Sequence, residues 1–243
     1  MTDLHTHILP HMDDGASSTA ISLRMLRIEA EQSVTGVALT PHFYVARESA
    51  TQFLNRRKAA WEHLLERMER ESGSFPDLVL GAEVAWAPHM DRMDDMELLC
   101  LGRSRYLLLE LPFTPWSGSM LDQLYNFVSR SGVTPVLAHL ERYLRIQRAE
   151  HIRELYRMNV PIQISAESLL RPWERWRCRG LLRSGRSVLL ASDCHNLERR
   201  APNLAAAAAA AKKRMDGGAV GALLDCSDAI FTAARGQQEG QDA

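Results

Sequence analysis

Cysteine is scarce and scattered in this chain of 243 residues. The four cysteines are Cys100, Cys178, Cys194 and Cys226. They form no Cys-x-x-Cys pair, which argues against a zinc knuckle and against a disulfide scaffold. Long apolar runs are missing as well, so no membrane insertion is expected. The first residues lack a basic segment followed by an apolar run, which argues against a signal peptide and favours a cytoplasmic protein.

An excess of either charge is also missing. Lysine and arginine number 29 against 30 acidic residues, for a formal net charge of −1. The whole molecule therefore has no general attraction for nucleic acid or anionic lipid, and any affinity for anions must be local. The length and the 46% hydrophobic content predict a single domain over residues 1–243, with 236–243 as a frayed tail.

Short runs of Val, Leu and Ile alternate with longer amphipathic stretches, a pattern typical of repeated β-α units with a parallel sheet. Helices are predicted after Ser17 and Ser18, over 48–71 and along the alanine run 205–211, with Gly217 and Gly218 as a stop. Seven strands are predicted, near residues 3–8, 36–40, 78–84, 106–111, 134–138, 161–165 and 187–192.

Residue types that bind metal ions gather at the ends of these predicted strands. His5 and His7 flank Thr6, so a strand places both imidazoles on one face, where they can share an ion. In parallel α/β proteins the carboxyl ends of the strands meet on one side, where sites are built. The other candidates at strand ends or in the adjoining loop are Asp13, Asp14, His42, Glu83, Glu110, His139, Asp193 and His195.

Each of these residues also has an ordinary structural explanation. A single histidine after a strand is more often a hydrogen-bonded structural residue than a ligand. Glu110 is harder to explain in that way, because an unpaired carboxylate in an apolar strand is costly to bury. Recurrence at five or more strand ends favours a metal centre. Three other histidines do not lie at strand ends beside other metal-binding residue types, and they are interpreted as surface residues; they are His63, His89 and His151.

Several motifs together resemble one known family. They are Asp-Leu-His-Thr-His-Ile-Leu-Pro with Asp-Asp-Gly, Thr-Pro-His, Gly-Ala-Glu, Leu-Glu-Leu-Pro-Phe, Ala-His-Leu-Glu-Arg-Tyr and Ser-Asp-Cys-His-Asn, spread from residue 3 to about residue 202. This set resembles the polymerase-and-histidinol-phosphatase (PHP) family, and within it the CpsB/CapC/YwqE branch of capsule-associated protein-tyrosine phosphatases.

His11 and Cys194 depart from the usual pattern of that family without removing a ligand. His11 is expected near the entrance of the site, and Cys194 is expected to pack away from the ligands.

The resemblance implies an α/β fold, a distorted seven-stranded (β/α) barrel of the PHP type. It also implies a cluster of up to three divalent ions, manganese foremost, with iron or zinc as alternatives. Arg142, Arg200 and Asp14 are the expected catalytic residues. The implied metal ligands are His5, His7, Asp14, His42, Glu83, Glu110, His139, Asp193 and His195.

This ligand set suits phosphoester hydrolysis. It combines imidazole and carboxylate without thiolate, which favours an open catalytic site over structural zinc. Three divalent ions would outweigh the four carboxylates and attract a phosphate group, and they can lower the pKa of bound water towards ~7, which provides a hydroxide nucleophile. Arg142 and Arg200 can donate to phosphoryl oxygens; their ordinary alternatives are ion pairs with Glu141 and Glu198.

The expected substrate is phosphotyrosine on a protein, since a phenolate with a pKa near ~10 leaves without strong proton donation. By resemblance, the partner is the C-terminal tail of a bacterial tyrosine kinase that regulates capsule or exopolysaccharide synthesis. A small phosphate monoester such as histidinol phosphate or a nucleotide, and a nucleic-acid phosphodiester, stay open as substrates. An amidohydrolase is disfavoured because no strand end offers a lysine, and a non-catalytic binding module is disfavoured because every expected ligand is retained.

The segment 171–179 interleaves two tryptophans with arginines. Its ordinary interpretation is a helix whose tryptophans pack and whose arginines are solvated. The alternative hypothesis is that Trp173 and Trp176, with Phe113 and Trp116, dock an acidic tyrosine-containing tail or form a contact in a homo-oligomer.

Overall fold

The structure is a computed structural model that describes residues 1–93, 95–182, 186–213 and 217–236. Within these residues the β-strands are β1 Thr2–Thr6, β2 Gly36–Leu39, β3 His42–Phe43, β4 Asp77–Leu80, β5 Glu83–Ala85, β6 Tyr106–Glu110, β7 Thr134–Leu137, β8 Ile162–Ser165 and β9 Val188–Ala191. The α-helices are α1 Thr19–Glu31, α2 Ala50–Glu69, α3 Gly118–Arg130, α4 Ala149–Arg157, α5 Ala166–Leu170, α6 Pro172–Leu182, α7 Leu204–Lys212 and α8 Gly217–Arg235. Short 3-10 helices span Met90–Arg92, Met96–Leu99 and Leu140–Arg145.

All named strand pairs are parallel, and the pairings form a distorted ring. One sheet has the order β1-β2-β4 and the other β3-β5-β6-β7-β8-β9. The ring returns to β1 through an isolated parallel bridge between Thr6 and Cys194. Two backbone hydrogen bonds support this seam, from Asp193 N to His5 O and from His7 N to Cys194 O, both 2.9 Å long. The α/β fold with parallel strands that the sequence predicts is thereby confirmed.

The strands differ from the prediction at two places. The second predicted strand, 36–40, is β2, and an additional short strand, β3, follows it after a break at Thr40 and Pro41. The third predicted strand, 78–84, is divided into β4 and β5 by a break at Gly81 and Ala82. Proline has no backbone N–H to donate to a strand ladder, which explains the first break. The short pieces β3 and β5 pair at their first residues, His42 and Glu83. The breaks therefore bring two predicted ligands side by side.

Helix α8 covers the amino-terminal ends of the strands. Its residues Ile230 and Phe231 are buried against Leu4, Leu108 and other side chains inside the ring. Gly36 at the start of β2 leaves room for this helix, because a Cβ there would lie 2.3 Å from the Phe231 ring. The alanine helix α7 ends at Lys212, before the two glycines predicted as its stop, and the sequence analysis did not predict that a further helix, α8, begins at Gly217.

The outer helices form for the reasons that the sequence indicates. The side chain of Ser18 accepts a hydrogen bond from Ile21 N and caps α1. Ser49 and Gln52 make a reciprocal capping box at the start of α2. Leu23 of α1 belongs to the outer core, and burying such a side chain contributes about 1.5–3 kcal/mol. None of the described helices has both the length and the hydropathy needed to cross a lipid bilayer.

Candidate metal centre

The predicted ligands converge at the carboxyl ends of the strands, opposite α8. Glu83 lies at the middle of this cluster and is 1% exposed. Its Oε2 is 3.2 Å from Nε2 of His5, 3.2 Å from Nε2 of His7 and 2.9 Å from Nδ1 of His42. Its Oε1 is 3.0 Å from Nε2 of His139. One carboxylate therefore contacts four imidazoles that come from three separate parts of the ring.

Three groups of these side chains have the spacing of metal sites. The groups are His7, Asp14, His42 and His195; His5, His7 and Asp193; and His42, Glu83 and Glu110. Within each group the ligand atoms lie within 4.8 Å of one another. His139 stands beside the third group, with its Nε2 3.4 Å from a Glu110 oxygen. The structure thus brings together all nine residues predicted as ligands.

The donor atoms themselves fit bound cations. The Nε2 atoms of His5 and His7 lie 3.2 Å apart, so both rings direct this nitrogen into the same space. Among the described residues, His195 Nε2 is buried without a hydrogen-bond partner. Buried polar atoms are normally satisfied, so this nitrogen is best explained as a ligand. Imidazole and carboxylate together suit first-row divalent metals.

Asp13 supports the ligands; the sequence analysis named it as a candidate but did not include it among the ligands. It is largely buried, and its carboxylate accepts hydrogen bonds from His7 Nδ1 at 2.7 Å, His42 N at 2.8 Å and Gly15 N at 2.9 Å. A Cβ on Gly15 would lie 2.2 Å from the His7 carbonyl oxygen, so only glycine allows this loop to close. The sequence showed two adjacent aspartates, and nothing in it distinguished the ligand from its support.

Gln163 is a second supporting residue that the sequence analysis missed. It is fully buried in β8. Its Oε1 accepts from His139 N at 2.5 Å and lies 3.3 Å from His5 Nδ1. Such contacts to the second ring nitrogen and to the backbone fix the orientation of metal-binding histidines. The available signal was a lone amide inside the apolar strand Ile-Gln-Ile.

Arg142 and Arg200 both contact Asp193, and the alternative pairs with Glu141 and Glu198 do not form among the described residues. Arg142 donates to Asp193 Oδ2, and Arg200 donates to Oδ1 at 2.6 Å. Burial would raise the pKa of Asp193, but His5 and Arg142 outweigh it and hold this pKa below its ordinary value. Asp193 and His139 also have positive φ angles, 55° and 35°, a strained conformation that costs about 1–3 kcal/mol each and is typical of functional sites.

Comparison with known protein families shows the family to which the chain belongs. The family model for capsular polysaccharide synthesis proteins of the CpsB/CapC type matches residues 1–229. The chain belongs to the CpsB/CapC family.

Named relatives in this CpsB/CapC family match most of the chain. The tyrosine-protein phosphatase CpsB of Streptococcus pneumoniae is 29% identical over 214 residues, which cover 83% of this chain and 86% of the relative. The tyrosine-protein phosphatase YwqE of Bacillus subtilis (strain 168) is 31% identical over 210 residues, or 82% of this chain and 79% of the relative.

Solved structures agree with the CpsB/CapC fold. A structure from the study of YwqE of Bacillus subtilis and CpsB of Streptococcus pneumoniae, described as metal-dependent tyrosine phosphatases, superposes with a TM-score of 0.80 at 22% identity, over 96% of this chain and 95% of that one. A mutant organophosphorus hydrolase gives 0.52 at 14% identity, over 95% and 92%. These likenesses establish the fold of the chain.

Other residues of this CpsB/CapC chain are placed as follows. His11 is exposed, and its place at the entrance stays a prediction. Cys194 is fully buried and faces Glu29, 3.9 Å from Sγ to Oε1, so it packs away from the ligands as expected. Trp116 does not join a docking face, because it is 4% exposed and its Nε1 donates to the Pro112 carbonyl. Phe113 is exposed and stacks on His139, with ring centroids 5.6 Å apart.

Asp13→Asn is expected to lower the affinity for Mn²⁺ by roughly 10–100-fold, the usual effect of losing a supporting residue behind a metal ligand. The amide cannot accept all three of the hydrogen bonds that the carboxylate receives. Titration against a metal-sensitive dye measures the change. Asp122→Asn, at an exposed position on α3, is the matched control. Unchanged affinity in Asp13→Asn would show that Asp13 does not orient His7.

The affinity of the centre for metal should rise with pH. Burial opposes protonation of His7, but its contacts with Asp13 and Glu83 outweigh burial and raise the pKa of His7 to about 10. Contacts with Glu110 and Glu83 likewise outweigh burial and raise the pKa of His139 to about 9. Both rings are therefore protonated near neutral pH without metal, and a cation must displace these protons.

Below the raised pKa values, each proton that the metal must displace makes the affinity rise by up to about tenfold for each unit by which the pH increases. Competition with a chelator between about pH 6.5 and 8.5, corrected for protonation of the chelator, measures this slope. His195 adds nothing in this window, because burial and the charges of His7 and Arg200 lower its pKa to about 3. A flat affinity across the window contradicts the expectation.

Proposed function

We propose that this protein is a metal-dependent phosphatase that hydrolyses phosphotyrosine in a protein substrate. The observation that carries the proposal is the convergence of nine imidazole and carboxylate side chains around Glu83, with Arg142 and Arg200 beside them. The named relatives are tyrosine-protein phosphatases and match more than four fifths of the chain. Both observations support the same chemistry on one face of the barrel.

The residues named as ligands would hold up to three divalent ions, and manganese is the ion we propose. Bound ions would supply Lewis acidity and an activated water. The chain itself provides the ligand geometry through Asp13 and Gln163. Arg142 and Arg200 are 37% and 38% exposed, so each keeps donors on its open side while it contacts Asp193. Those donors can bind phosphoryl oxygens and stabilise the charge that develops during transfer.

Phe113 is a candidate contact for the aromatic ring of the substrate. Its ring is 46% exposed and stacks on His139, at the border of the ligand cluster. Tyr143 stacks on it as well, with centroids 5.0 Å apart, and is fully buried. An exposed ring held rigidly beside the site favours aryl phosphates over alkyl phosphates.

The proposed partner is the tyrosine-containing tail of a bacterial tyrosine kinase that controls capsule or exopolysaccharide synthesis. The match to the capsular polysaccharide synthesis family supports this assignment. A cytoplasmic location follows from such a partner.

A turnover panel tests the proposed function. The manganese-loaded protein is given a phosphotyrosyl peptide, the phosphoseryl peptide of the same sequence, histidinol phosphate and a phosphodiester. We expect the highest kcat/KM for the phosphotyrosyl peptide and loss of turnover after chelation. Preference for histidinol phosphate or for the diester would overturn the tyrosine assignment and keep the phosphoesterase one. No turnover of any of the four would overturn both.

A further inference from the structure

A cationic cavity of about 410 Å³ opens directly beside the metal centre. It lies between the 3-10 helix Leu140–Arg145, the helices α5 and α6, and the loop that follows β9. Arg142, Asp193 and Arg200 line it, so the cavity and the centre share one wall. A group held in this cavity would therefore lie next to a phosphoryl group held at the centre.

Three of the four carboxylates among the described lining residues have an arginine within 4.0 Å, and the fourth, Glu141, is buried and accepts a hydrogen bond from Ser165 N at 3.4 Å. Asp193 is bound by Arg142 and Arg200. Arg171 pairs with Glu167 at 2.9 Å and lies 3.6 Å from a Glu174 oxygen. Six arginines among the described residues line the cavity, and these pairs occupy only half of them.

The remaining three lining arginines have no carboxylate within 4.0 Å in the described part of the chain; they are Arg145, Arg177 and Arg199. Trp173 holds two of them in place. The Arg145 guanidinium lies 4.1 Å from the Trp173 ring centroid, and that of Arg177 lies 5.2 Å from it. Stacking on a tryptophan ring positions a guanidinium while leaving its N–H groups free to donate.

We propose that this cavity binds the carboxylate of an acidic residue close to the phosphotyrosine of the substrate, and so selects acidic target sequences. The inference rests on the proposed function, which it deepens. An extended peptide advances about 3.3–3.6 Å per residue. With the phosphotyrosine at the metal centre, an acidic side chain one to three positions away can therefore extend into the cavity. Charge-assisted hydrogen bonds from paired arginines give such a carboxylate both affinity and orientation.

The competing explanation is structural: Trp173 and the two arginines would only join α6 to the 3-10 helix. The two explanations differ in whether selectivity depends on Arg145 and Arg177. A selectivity ratio separates them, because a general loss of activity cancels when two peptides are compared on the same variant.

The test uses two phosphotyrosyl peptides that differ only in carrying glutamate or glutamine on both sides of the phosphotyrosine. For the manganese-loaded wild type we expect kcat/KM to favour the glutamate peptide by roughly tenfold or more, with the preference falling as salt is added. The double variant Arg145→Gln, Arg177→Gln should lower the ratio to about one to two. Arg179→Gln is the matched control, because Arg179 is exposed on α6 and does not line the cavity.

Equal kcat/KM for the two peptides in the wild type overturns the inference, and so does a preference that survives in the double variant. Fluorescence anisotropy with labelled copies of both peptides measures selectivity without turnover. If no peptide is hydrolysed, the proposed function fails, while tighter binding of the glutamate peptide that is lost in the double variant still supports the cavity. Equal binding of both peptides rejects it.

Discussion

Replacing Glu83 by glutamine is expected to lower turnover by roughly 10³-fold or more and to remove bound metal. Glu83 contacts His5, His7, His42 and His139 within 3.2 Å. The amide has nearly the same shape but no charge, so it cannot neutralise a cation and presents N–H groups to one side of the cluster. No other described residue contacts as many of the ligand histidines.

Metal content by elemental analysis and turnover of an aryl phosphate measure this effect on the same sample. Glu154→Gln, at an exposed position on α4, removes one charge elsewhere and should leave both quantities unchanged. A Glu83→Gln protein that keeps its metal and more than about a tenth of its turnover would show that Glu83 is not central to the site.

The double variant Arg142→Lys, Arg200→Lys is expected to lower kcat/KM by roughly 10²–10³-fold while the metal content stays unchanged. Lysine keeps the charge beside Asp193 but lacks the planar pair of donors that fits a carboxylate or a phosphoryl group. We therefore expect slower substrate turnover and weaker inhibition by inorganic phosphate.

Arg153→Lys, at an exposed position on α4, is the control for this substitution. If the double variant loses metal in proportion to its loss of activity, the two arginines act only by positioning Asp193. Unchanged kcat/KM would remove both from the proposed catalytic site.

The sequence was sufficient to predict the parallel α/β fold and the convergence of the candidate residues because two strong patterns coincide. Short apolar runs such as Leu-Leu-Leu before Glu110 and Val-Leu-Leu-Ala before Asp193 are typical of strands buried on both faces. The polar residue that ends each run then lies at the carboxyl edge of a parallel sheet. Convergence of the nine residues follows from topology, without knowledge of any single contact. The one-domain organisation, the ligand and catalytic roles of the site residues and the choice of manganese stay predictions.

The features that the sequence did not reveal depend on contacts between distant residues. Asp13 differs from Asp14 only in that its carboxylate reaches His7 and the backbone of His42. Arg142 reaches Asp193 because the turn after His139 carries it across the centre, and Arg200 contacts the same carboxylate. From the sequence, the neighbouring Glu141 and Glu198 were equally reasonable partners. Helix α8 was missed because its two opening glycines suggest an end, although the apolar residues that follow pack beneath the ring.

The bridge between Thr6 and Cys194 has a consequence for how the protein matures. His5 and His7 leave the ribosome first, and Asp193 and His195 follow nearly two hundred residues later. Contacts between such distant segments are slow to form because a long loop must close. The nascent chain therefore carries only part of the donor set until β9 has been made and has docked against β1, and the proposed metal centre can be completed only after that step.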